Sequence, residues 1–136
     1  MITLRTFVDG LEALSITGVT RSYLQGPPTS GPVTADLPAL FIAYPTLTGS
    51  RLTLGNQGGN GTLTAQLYIL VEPVAQNMQG ANYDATVAMV DALETALIAA
   101  ACSIGGALSW SVRVTTFEVA GEAYWTVIAD MEGRRW

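Results

Sequence analysis

The sequence predicts an α+β domain: a largely antiparallel sheet with two helices packed on one face and an extended β-arm. Three observations predict it. Leu4, Phe7, Val8, Leu11 and Leu14 recur at three- and four-residue spacing, the period of one helical face. Thr62 to Glu72 alternates as a strand does, with Leu63, Ala65, Leu67, Ile69 and Val71 on one side. A second helical stripe, Tyr83, Val87, Val90, Leu93, Leu97 and Ile98, precedes two strand-like segments that close the chain.

The elements follow in order. In the first helix Arg5, Asp9 and Glu12 take the side away from the apolar stripe, and Gly18 falls past its end. Gln25 to Pro32 reads as a loop, because its prolines remove donors and its glycines break any regular pattern. Leu37 to Tyr44 is apolar on both faces, hence a covered strand, with Pro38 near its beginning and Pro45 ending it. From Thr46 to Gly61 the composition turns to Gly, Asn and Thr. Arg51 to Leu54 could form a short strand there, and Asn60-Gly61 is a good turn pair. Beyond Thr62 to Glu72, Asn82 or Asp84 can cap a helix running to about Cys102, which Gly105-Gly106 stops. Trp110 to Val119 and Ala123 to Met131 form the final strand pair, joined through Ala120-Gly121-Glu122.

At 136 residues the chain is expected to be one domain, residues 1–136, burying about 68% of its unfolded surface. Charged residues make up 12% and hydrophobic ones 49%, against about 25% charged in ordinary soluble domains. Such a surface suits contact with other subunits; a monomer with a Thr-, Gly- and Ala-rich exterior is the alternative. The net charge is −5, and the six basic residues are all arginines, mostly scattered. A general grip on nucleic acid needs a basic cluster, so that class is disfavoured. An acidic surface does suit a channel through which DNA slides without sticking. No secretory signal or membrane-spanning stretch is visible, which predicts a soluble protein made in a cytoplasm.

Catalytic chemistry is sparse. Without histidine the usual general base, the Ser–His and Cys–His dyads and the common zinc ligands are gone. Without lysine there is no phosphate-binding P-loop and no Schiff base. Gly55 to Gly61 leads into a strand, so it lacks the helix N-terminus that a phosphate-cradling loop uses. Cys102 is alone and reads as a small buried hydrophobe. Glu118 with Glu122, and Asp130 with Glu132, could pair as acid and base, but a tight turn and a chain end favour solvation. The reading is therefore of a protein that is not an enzyme, with no catalytic residue, metal or cofactor. Arg134-Arg135-Trp136 is a candidate C-terminal anchor, since Arg and Trp are enriched at interfaces; a solvated tail is the alternative.

The chain resembles the tail terminator, or tail completion, proteins of long-tailed bacteriophages. The resemblance spans nearly the whole length. It rests on the N-terminal helix, the Asp36-Leu37-Pro38-Ala39-Leu40-Phe41-Ile42 strand, the arm, the Leu63-to-Glu72 strand, the helix beginning Asn82-Tyr83-Asp84 and the closing strand pair. It implies a structural virion protein assembled in the host cytoplasm. In that family a hexameric ring with helices outside and sheets toward a lumen caps the tail tube, stops its polymerisation and joins tail to head. The implied partners are further copies of the chain, a tail-tube protein and a head–tail connector or head completion protein. DNA passes through without specific binding, and no membrane is involved. Arg51, Leu52, Leu54, Asn56, Gln57 and Asn60 are the candidate assembly arm, and Thr62, Thr64, Gln66 and Glu72 the candidate lumen lining. Other readings are a neighbouring neck or minor tail protein, and, in a different class, a small oligomeric ligand-binding domain or enzyme.

Overall fold

Thr3 opens the first helix, α1 (Leu4–Glu12), its Oγ1 accepting the Thr6 N–H at 3.1 Å. The computed structural model describes residues 3–24, 36–51, 59–74, 79–104 and 109–134. Five strands and a second helix follow: β1 (Arg21–Tyr23), β2 (Ala39–Arg51), β3 (Gly59–Pro73), α2 (Gln79–Ile104), β4 (Ser109–Val119) and β5 (Glu122–Arg134). The strands lie in the order β1-β2-β3-β5-β4, with β1 parallel to β2 and every other pair antiparallel. This is the expected α+β class.

Several boundaries differ from the sequence reading. β1 was not expected; Thr20 and Arg21 donate to the Pro38 carbonyl at 2.8 and 3.4 Å, which aligns the short strand with the start of β2. Pro45 does not end β2. It falls where the register shifts between Ala43 and Thr46, with Tyr44 at φ 52, so its missing N–H costs no ladder bond and the strand runs on to Arg51. Thr46 to Arg51 is thus paired with Gly59 to Thr64, and the base of the arm is a β-ladder rather than a loose segment. Asn82 caps nothing, because α2 begins at Gln79; its carbonyl accepts from Thr86 Oγ1 at 2.7 Å. Gly18 sits beyond the helix end in a turn at φ 96, closed by Val19 N–H on the Ile16 carbonyl.

Alternate residues of the strands build one buried cluster. Leu40 and Ile42 of β2, Leu63 to Val71 of β3, and Val127, Ala129 and Met131 of β5 pack with Phe7, Val8 and Leu11 of α1 and Met89, Leu93 and Leu97 of α2. Three stripe residues of α2 stay outside it: Tyr83, Val87 and Ile98 are 47%, 42% and 63% exposed. Glu12, placed by periodicity on the wet side, is 6% exposed. The helix stops there and β1 returns beside it, with Ser22 Oγ donating to the Glu12 carbonyl at 2.9 Å.

The opposite face holds a second buried cluster of Leu37, Ala39, Phe41, Ala43, Tyr68, Leu70, Val119, Tyr124 and Ile128. Its rings reveal the shape of the sheet. Tyr68 stands opposite Ile128, and Ile128 opposite Arg113, four residues from Phe117. In a flat sheet the Tyr68 and Phe117 Cα atoms would be about 17 Å apart, from strands about 4.8 Å apart and a rise of about 3.4 Å per residue. Their ring centroids are 4.9 Å apart, and Phe41 stacks on Tyr68 at the same distance. The sheet is therefore twisted and curled toward this face rather than flat. Ala120 and Gly121 make the β4–β5 turn with φ of 51 and 84, the signature of a type I′ hairpin that matches strand twist.

Candidate functional site

Where the aromatic cluster ends, the concave face becomes polar. Tyr68 Oη donates to Gln66 Oε1 at 2.7 Å, Gln66 Nε2 donates to Asp130 Oδ1 at 2.8 Å, and Arg113 Nη1 donates to Asp130 Oδ2. The chain of bonds crosses β3, β5 and β4. Strand alternation puts Gln66 and Tyr68 on one face, and register sets Asp130 beside Gln66 and Ser111 beside Asp130. The Gln66 bond, with help from Arg113, holds the Asp130 carboxyl below the usual carboxylate range, while partial burial opposes it. A carboxylate held ionised in this way is a poor general acid.

Beside this network lies an open groove of about 550 Å³, lined by Tyr44, Thr64, Gln66, Ser111, Asp130 and Glu132 among others. Of the residues expected to line a lumen, Thr62, Thr64 and Gln66 are half-buried on this same face, opposite Arg134, Glu132 and Asp130. Glu72 is separated from them. A register shift between Leu70 and Glu72 breaks the alternation and sets Glu72 opposite Trp125.

The candidate arm is divided. Arg51 and Asn60 belong to paired strands, opposite Gly59 and Ser50, while Leu52, Leu54, Asn56 and Gln57 lie outside the described residues. Of the C-terminal candidates, Arg134 ends β5 opposite Thr62; Arg135 and Trp136 lie outside the described residues. Glu118 and Glu122 do not form a pair in the ladder, for Glu118 faces Ala123 and Glu122 accepts from Tyr124 Oη at 3.2 Å. Among the described residues no three His, Cys, Asp or Glu side chains gather as a metal site, and no helix is long and apolar enough to cross a membrane.

Sequence reasoning missed Tyr44, Arg113 and the Gln66–Asp130 link. Alternation could have placed Gln66 beside Tyr68, but only the β3–β5 register brings in Asp130. Compared with known proteins, the chain matches no family model and no curated protein.

Proposed function

We propose that this protein is a structural ring subunit of the tail-terminator kind, closing the end of a phage tail tube and offering the surface to which the head attaches. The observation that carries the reading is the β2–β3 arm. Its strands are paired down to Arg51 and Gly59 and outrun β5, whose pairing with β3 ends at Thr62. Around it stands the element order on which the resemblance rests: helix, strand, arm, strand, long helix, strand pair. Low charge and the absence of lysine fit subunit contact and a passage that does not hold DNA. In this reading copies of the chain form a ring of six between tail-tube protein and head connector, within the virion.

The experiment is tube growth in vitro. Adding this protein to polymerising tail-tube protein of the same genome should shorten the tubes and leave a ring of extra density at one end. An unchanged length distribution with bare ends contradicts the proposal.

The groove supports a second reading, a ligand-binding domain, because its volume is that of small-molecule pockets. Ligand-dependent thermal stabilisation across a small-molecule panel would favour it; no shift for any compound would count against it.

A further inference from the structure

The groove at the polar end of the sheet is built by ladder register. Gln66 stands opposite Asp130 and Asp130 opposite Ser111; one row along, Thr64 stands opposite Glu132 and Glu132 opposite Ser109. Alternation turns both rows to the same face, so hydroxyl, amide and carboxylate groups sit side by side across three strands. The Tyr68–Gln66–Asp130–Arg113 chain of hydrogen bonds fixes the first row before any ligand arrives. Among the described residues the side chains of Thr64, Ser109, Ser111 and Glu132 make no hydrogen bond within the chain, so their bonding capacity is open to a ligand.

Tyr44 borders the groove on the β2 side. It falls in the bulge between Ala43 and Thr46 with φ 52, a left-handed conformation that bulky residues rarely adopt. It lines the groove and is 69% exposed. Bulges re-aim side chains, and left-handed residues other than glycine gather at ligand-binding sites. The result is an aromatic ring standing free beside a polar floor.

The charges narrow the ligand. The described residues lining the groove include two carboxylates and no basic side chain, so anions, nucleic acid among them, are repelled. Asp130 is already paired with Arg113, and Arg134 stands two residues from Glu132 on the same face, so a cation gains little net attraction. We infer that the groove binds a neutral polyhydroxylated ligand, a sugar. Sugar hydroxyls both donate and accept, which matches the serine, threonine, amide and carboxylate groups of the floor. The C–H face of a sugar ring packs on an aromatic face such as that of Tyr44. A volume of about 550 Å³ lies in the range of small-molecule sites. The inference rests on the ligand-binding reading and names its ligand class.

Amide chemical shifts of isotope-labelled protein test it, with glucose, galactose, mannose, N-acetylglucosamine, maltose and lactose as probes. At tens of millimolar at least one sugar should shift the Gln66, Ser111, Asp130 and Glu132 amides saturably, while inorganic phosphate and N-acetylarginine amide should not. Binding of single sugars supports a free ring as the ligand, and binding of the disaccharides alone supports a glycan segment. Tyr44→Gly, which removes the ring and suits φ 52, should weaken binding about tenfold, as should Glu132→Ala at an exposed position. The dispersion of the amide spectrum controls for folding, and either variant suffices if the other does not fold. Unchanged affinity in a folded variant overturns the sugar inference and leaves ligand binding standing. So do groove shifts caused by phosphate, N-acetylarginine amide or another small molecule but by no sugar. If no sugar, ion or panel compound shifts these amides, both readings fall.

Discussion

A Cβ placed on Gly133 would lie 2.9 Å from Cε1 of Phe7, so one ring of α1 is laid against bare backbone near the end of β5. Phe7 is fully buried there. Gly133→Ala should therefore cost about 1–3 kcal/mol by overpacking, read as a lower urea midpoint. Adding Phe7→Leu should recover part of that loss, because the smaller side chain vacates the contact. Equal stability of Gly133→Ala and wild type would show that the ring moves freely.

The β4–β5 turn contains an L-residue in left-handed conformation. Ala120 has φ 51, where its Cβ crowds the following carbonyl. Ala120→Gly should raise stability by about 0.5–1 kcal/mol, and Ala120→Asn should also stabilise. Gly121→Ala, at φ 84 with open space around its Cβ position, should lower stability through backbone strain alone.

Two carboxyl groups should give stability opposite pH dependences. The folded state lowers the Asp130 pKa from its ordinary 3.8, so its contribution is complete above that value and is lost as pH falls through the lower folded value. Burial raises Glu12 above its ordinary 4.5, with Arg5 opposing; its contribution is complete below 4.5 and is lost as pH rises through the folded value. Asp130→Asn should flatten the most acidic limb of a stability–pH curve, and Glu12→Gln the limb just above pH 4.5. Urea midpoints across that range check both; slopes unchanged by either substitution would exclude these groups as the cause.

The curled face makes its own prediction. Phe41 is 1% exposed and stacked on Tyr68. Phe41→Ala should cost about 3–5 kcal/mol and weaken the near-ultraviolet dichroism of the aromatic cluster. Proton Overhauser contacts between the Tyr68 and Phe117 rings should be seen in the wild type, and their absence would mean a flat sheet.

What could be read in the sequence was whatever repeats at short range. The α1 stripe, the alternation of β3 and the tight final hairpin each declare themselves within a dozen residues. β1 has three residues and no period to show. The continuation of β2 past Pro45 depends on a bulge, which a proline-based rule reads as an ending. Curling and the Gln66–Asp130 bond depend on register between strands 64 residues apart in the chain, which no local pattern encodes. Glu12 shows the same limit, since helical period assigned it to water and yet it is 6% exposed in the folded chain. Of the candidate site, Thr62, Thr64 and Gln66 were placed on one face by alternation, whereas the shift before Glu72 was invisible.

In the proposed function, copies of this chain close into a ring. Single-particle imaging of the purified protein on the ends of tail tubes tests it most directly. A closed ring of six copies is expected, with α2 toward the outer circumference and Thr62, Thr64 and Gln66 toward the central opening. Tube ends without added subunits, or a ring with that strand face on its outer circumference, would contradict it.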